Sequence, residues 1–183
     1  MLLLVFGIFL WGGFHGLRRL SPNLREKIGE KGKALIALGI IAGMICMVIG
    51  YRKASYILLW QPPAFFLHIN NFLMVIAALL LAMSFTKGRM RNKIRHPMLT
   101  AVKTWAVAHL LVNGDLASIF LFGGLLAWAV LSVITINKSE EWAPQDVTED
   151  KIDWRFMFSA VVIFGAMVGV HIALGVWPFG PRT

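Results

Sequence analysis

Apolar residues fall into six runs along the 183-residue chain, separated by short polar or proline-bearing breaks. The runs cover about 1–17, 33–51, 64–85, 97–112, 116–134 and 156–176. Each approaches the ~20 residues that a helix needs to cross the hydrocarbon core of a bilayer. The pattern therefore predicts an all-α protein, a polytopic membrane helix bundle of about six transmembrane helices, with residues 1–183 as a single transmembrane domain. The breaks are physically apt. Ser21-Pro22 interrupts the first loop, and Trp60-Gln61-Pro62-Pro63 forms a rigid connector, because each proline fixes φ and removes a donor. Pro97 suits a helix start. Asn113-Gly114-Asp115 reads as a tight turn whose aspartate caps the next helix. The first run lacks a basic leader and a small-residue cleavage site, so it reads as a retained helix rather than a signal peptide. The fourth run is short, and a re-entrant segment is the rival parse there. The one long polar segment, Asn137 to Arg155, is too short for a domain.

Composition sharpens this picture. Hydrophobic residues make up 58% of the chain and the mean hydropathy is +0.72, against roughly 45–50% apolar residues in a soluble domain. A formal net charge of +9 raises the question of nucleic acid. Of the 18 Lys and Arg, however, 14 sit in the first, third and fifth connections, and only Arg52, Lys53 and Arg182 lie on the other side. That asymmetry is the orientation signal of a membrane protein. It predicts cytoplasmic basic loops and two periplasmic termini, with the lipid bilayer as partner and no nucleic acid. Cys46 is the only cysteine; it lies mid-span and reads as an inert buried thiol.

The chemistry concentrates in Arg95 to Asp115, an apolar run that nevertheless carries Lys103 and His109. Ionisable groups in such runs usually face a bundle interior and often mark function. All five histidines lie in or at the edge of spans. Imidazoles without a cysteine cluster suit zinc, copper or iron. Trp11 precedes His15 by four residues, and Trp105 precedes His109 by four, so each ring shares a helix face with its imidazole. Gly12, Gly13 and Gly16 flank His15, while Ala106 and Ala108 flank His109. Such recesses suit a flat macrocycle; they equally suit close helix packing. Arg18, Arg19, Arg95 or Lys103 could pair with the carboxylates of a haem, and Lys103 could instead snorkel to the headgroups. By rise per residue, His15 lies nearer the basic side and His109 nearer the other, roughly 10 Å apart along the membrane normal. Depth alone groups His109 with His68 or His171, for which an interfacial, hydrogen-bonded imidazole is the simpler reading. Asn70-Asn71 could bridge helices by hydrogen bonds.

Arg95-His96-Pro97-Met98-Leu99, then Lys103-Thr104-Trp105, then Ala108-His109-Leu110-Leu111-Val112-Asn113-Gly114-Asp115-Leu116-Ala117 resemble the signature of the NnrU family. Phe14-His15-Gly16-Leu17, Gly29-Glu30, Gly50-Tyr51, Leu59-Trp60-Gln61-Pro62-Pro63 and Phe120-Leu121-Phe122-Gly123 agree with it, so the likeness runs from about Met1 to Ile134. The resemblance implies a bacterial inner-membrane protein linked to denitrification, needed for nitrite and nitric oxide reductase expression or activity. It also implies similarity to plant zeta-carotene isomerase, which holds haem b between two histidines. The matching positions here are His15 and His109 as iron ligands. Depth keeps His68 in reserve, and spacing and charge set Trp11, Arg18, Lys103 and Trp105 around the cofactor. Expected partners are respiratory nitrogen-oxide reductases, nitric oxide or a lipid-soluble small molecule. Alternative readings are a haem-dependent isomerase of a polyene lipid and a cofactor-free assembly factor. A third is a membrane methyltransferase, because Arg95-His96-Pro97 with Glu140-Glu141 resembles isoprenylcysteine-type enzymes.

Overall fold

A computed structural model describes residues 1–20, 31–86, 89–144 and 154–180, and each apolar run in it is helical. We label the helices α1 (Leu2–Leu20), α2 (Lys31–Arg52), α3 (Phe66–Met83), α4 (Pro97–Val112), α5 (Leu116–Ser139) and α6 (Trp154–Ala173). Four of these, α2, α3, α5 and α6, are long and apolar enough to cross a membrane, whereas α1 and α4 contribute shorter apolar helices. The 16 residues of α4 rise about 24 Å, less than the ~30 Å of a typical hydrocarbon core.

Local chemistry sets the helix ends. Pro97 occupies the first turn of α4, where its missing N–H costs nothing. Asp115 caps α5, its carboxylate accepting from the Ser118 N–H at 3.0 Å. At the end of α6, Gly175 adopts φ +75°, and the Val176 N–H returns to the His171 carbonyl at 2.9 Å. That left-handed cap favours glycine because it has no Cβ to clash. The fifth helix differs from its sequence expectation in two ways. It contains a π-helical segment over Ile119–Gly123, and it continues to Ser139 rather than ending near residue 134. Its last turns are polar but self-satisfied: Thr135 Oγ1 donates to the Leu131 carbonyl and Ser139 Oγ to the Thr135 carbonyl.

The helices pack in the order α2, α1, α5, α4, α3, α6. The α1–α2 contact is made by glycines. A Cβ on Gly43 would lie 2.7 Å from the Trp11 nitrogen, and one on Gly7 would lie 2.7 Å from that of Met47. Missing side chains thus let two backbones approach, the usual route to helix association in lipid. Leu4, Met47, Ala117 and Leu125 form the core where α1, α2 and α5 meet, and Ala82, Met83, Phe156 and Ala160 join α3 to α6. The outward faces of α2 and α6 carry exposed Leu38, Ile41, Ile45, Val161, Val162 and Val170. An apolar surface this extensive belongs against lipid. Among the described residues, Lys33, Arg91, Lys93, Arg95, Lys138 and Arg155 gather at one end, here called the basic end. The opposite end holds Asn113-Gly114-Asp115 and is called the turn end.

Candidate functional site

At the turn end, α4 stops because Asn113 captures the carbonyl of His109 twice, through its backbone N–H at 3.0 Å and its Nδ2 at 2.8 Å. The chain then doubles against the connector from α2. Leu59 N–H donates to the Gly114 carbonyl at 2.8 Å, and Leu116 N–H donates to the Ile57 carbonyl at 2.9 Å. Gly114 has no room for a side chain, because a Cβ there would strike the Trp60 carbonyl. Behind this turn lies a buried polar relay. Ser118 Oγ donates to Asp115 Oδ2 at 2.6 Å. The single hydroxyl proton of Ser118 is thereby used, so the Tyr51 hydroxyl donates to Ser118 Oγ, 2.9 Å away. Asp115 is 3% exposed and Ser118 fully buried. The relay ties the end of α2 to the start of α5.

Asp115→Ala removes both the cap and the acceptor of a buried hydroxyl. Caps contribute roughly 0.5–2 kcal/mol and an orphaned buried group costs about 1–3 kcal/mol. Thermal unfolding in detergent should therefore show a marked loss for Asp115→Ala and a smaller one for Asp115→Asn, which keeps an acceptor oxygen. Equal melting of the two variants would remove the relay from any structural role.

His109 lies at the centre of an aromatic cluster beside the relay. Its ring meets Phe122 at 4.5 Å, Trp105 at 5.2 Å and His171 at 6.0 Å between centroids. Phe122 also meets Trp105 at 5.1 Å and Tyr51 at 6.3 Å. The π-helical segment brings Phe122 into this position, and such bulges are frequent at functional sites. His171 enters from α6, with its Nδ1–H donating to the Met167 carbonyl at 2.7 Å. That bond leaves Nε2 as the acceptor or ligand nitrogen.

His15 belongs to a second cluster. Its Nδ1–H donates to the Trp11 carbonyl at 3.0 Å. Its ring lies 4.0 Å from that of Trp11 and 5.3 Å from that of Trp128 on α5. Each histidine thus shares a face with the tryptophan four residues before it, but they touch α5 at different places. Phe122 and Trp128 are six residues apart on that helix, roughly 9 Å in rise and about 240° in rotation. His15 and His109 thus enter different ring clusters. His68 is exposed near the start of α3. Lys103 lies six residues before His109, about 9 Å towards the basic end. Arg95 sits at that end, donating to the Glu140 carbonyl. Arg18 falls on α1, with its side chain outside the described residues.

The small residues flanking the two histidines serve helix packing. Ala106 and Ala108 are fully buried, and the carbonyl of Ala108 accepts from Asn70 Nδ2 at 3.0 Å when that amide is oriented to satisfy both groups. The Asn70 side chain thus bridges α3 to α4. The recess at Gly12 is filled by Trp128, 3.3 Å from where a Cβ would stand, while Gly13 faces open space. At the basic end, His96 Nε2–H donates to Asn137 Oδ1 at 2.8 Å. With the Arg95 contact, this latches the start of α4 to the end of α5.

Tyr51 and Phe122 stand out in the sequence only as part of the family likeness, and Trp128 and Ser118 have no assigned role there. They carry no periodic signal of their own; only the packing of α5 between α1 and α4 reveals them. Among the described residues there is no group of three or more His, Cys, Asp or Glu able to hold a metal ion, so any metal here would rest on imidazole pairs or on a cofactor's own ligands. The family model described as NnrU protein matches residues 3–178. No curated protein and no solved structure matches the chain.

Proposed function

The chain belongs to the NnrU family, and from that membership we propose that it is a haem b protein of the bacterial inner membrane. On this reading it serves nitrogen-oxide respiration in a redox or sensing role. The observation that carries the reading is the turn-end cluster, where His109 and His171 meet edge-on with ring centroids 6.0 Å apart and with Trp105 and Phe122 beside His109. Imidazole suits iron, and this donor set fits one haem iron better than His15 with His109 does. Haem would supply electron exchange or the binding of a small gas such as nitric oxide.

The protein's own contribution is placement. The carbonyl of His109 is held by Asn113, which fixes the last turn of α4 and therefore the direction of the imidazole. Trp105 and Phe122 exclude water from its flanks. The relay of Asp115, Ser118 and Tyr51 anchors the base of α5 against which Phe122 leans. Orientation follows from charge: the basic end lies in the cytoplasm, and the turn end with the cluster lies towards the periplasm. The site would then exchange electrons or ligand with periplasmic reductases rather than with cytoplasmic partners.

The test is the visible spectrum of detergent-purified protein, oxidised and dithionite-reduced, after haem-replete expression. A Soret band and sharp α and β bands on reduction are expected, with a single haem per chain by pyridine haemochrome. A colourless preparation would overturn the proposal and leave a cofactor-free assembly role as the reading to pursue.

A further inference from the structure

The geometry points to His171, rather than His15, as the partner of His109 in holding the proposed iron, an inference that rests on the haem reading above. Four independent features of the turn end converge on it. First, the ring centroids of His109 and His171 are 6.0 Å apart with planes at 78°. Two bonds from imidazole nitrogen to a metal, at about 2.0–2.1 Å each, plus half a ring on either side, also span about 6 Å. Second, His171 is already in the ligand tautomer. Its Nδ1–H is committed to the Met167 carbonyl, the arrangement by which ligating histidines are usually oriented.

Third, both histidines sit in the last turn of their helices. The negative ends of two helix dipoles therefore meet at the pair, and such ends favour a cation between them. Fourth, both turns are fixed from behind. Asn113 holds the His109 carbonyl, and the Gly175 cap, through Val176, holds that of His171. The imidazoles are thus carried on rigid backbone rather than on fraying ends.

His15 shares only the second feature. Its ring packs against those of Trp11 and Trp128, which also touch each other, and Trp128 fills the neighbouring recess at Gly12. It also stands against another stretch of α5, at another depth. His68 is exposed. The last helix, which lies within the family match over residues 3–178, thus contributes the histidine that completes a site begun by His109.

The experiment compares intact, detergent-purified wild type with His171→Ala, His171→Met and His15→Ala. Three readouts apply: absorption, low-temperature electron paramagnetic resonance and midpoint potential. Wild type should be six-coordinate and low-spin. His171→Ala should become high-spin or lose haem while remaining monodisperse, and free imidazole should restore the low-spin signal. His171→Met should remain six-coordinate with a raised midpoint potential, as thioether ligation favours the reduced state. His15→Ala should keep the wild-type spectrum. A low-spin spectrum and potential unchanged in both His171 variants would overturn the assignment, as would loss of the low-spin signal in His15→Ala alone. A wild type with no haem would instead overturn the parent reading, and the assignment with it.

Discussion

His109→Ala protein is expected to purify with about a tenth or less of the haem bound by wild type, since even residues that merely orient a ligand are worth about 10–100-fold in metal affinity. Among the described residues, His109 is the imidazole whose ring contacts join the aromatic cluster to a second imidazole, so no neighbour replaces it without a shift of α4. His68→Ala makes the natural control. It removes an imidazole of the same chemistry from an exposed site and should leave haem content unchanged. Truncation of a packed ring also costs stability, on the order of 1–3 kcal/mol. Haem content must therefore be read beside a melting curve. A His109→Ala chain that melts normally yet retains full haem would show that iron is held elsewhere, with His15 the next position to replace.

Gly114→Ala should act on folding rather than on ligand binding. The new methyl group would meet the Trp60 carbonyl, and the connector cannot retreat without losing its hydrogen bonds to Gly114 and Leu116. Three bonds join the segments, those of Leu59, Trp60 and Leu116, each contributing about 0.5–1.5 kcal/mol. Their combined loss, with the clash, amounts to several kcal/mol out of a typical total of roughly 5–15. We expect little monodisperse protein after extraction. Gly13→Ala tests the opposite case. No atom lies within 4 Å of its added Cβ, and alanine is favoured over glycine inside a helix by about 0.5–1 kcal/mol, so that variant should be as stable as wild type or more so. Similar yields from the two variants would mean that the turn is not built on close approach at Gly114.

Much of the architecture could be read from hydropathy and turn chemistry. Apolar runs, Pro97 and Asp115 mark α4 and the start of α5, since helix starts depend on residues near in sequence. The π-helical segment was not legible. It inserts a residue into the ladder without changing composition, and Phe120-Leu121-Phe122 would read as ordinary span. The end of α5 is equally hidden, because hydropathy falls before the helix ends, with Thr135 and Ser139 bonding back to earlier carbonyls. Depth in the membrane groups His109 with His68 or His171, and the structure sets it against His171. Rise per residue gives the level of a side chain in the membrane, whereas its azimuth depends on which helices are neighbours. The choice between recess and packing at Ala106 and Ala108 was open for the same reason: α3 lies against α4 there.

The order of packing has a consequence for biosynthesis. The pairs α1–α2 and α3–α4 are each formed by helices adjacent in sequence, and such local contacts form early. A nascent chain can complete both hairpins as they leave the insertion machinery. They are joined chiefly by α5, which offers one surface to α1 and another to α4. Until residues beyond Leu116 have entered the bilayer, the two hairpins lack the helix that binds them together. Arrival of α5 then does several things at once. It seats Phe122 against His109, Trp128 against His15 and Ser118 against Tyr51. The aromatic flank of the candidate site is thus set late, by the helix that joins the two hairpins, and α6 then adds His171. A loading step for a cofactor would have its open interval after α5 has docked and before α6 brings His171 to His109.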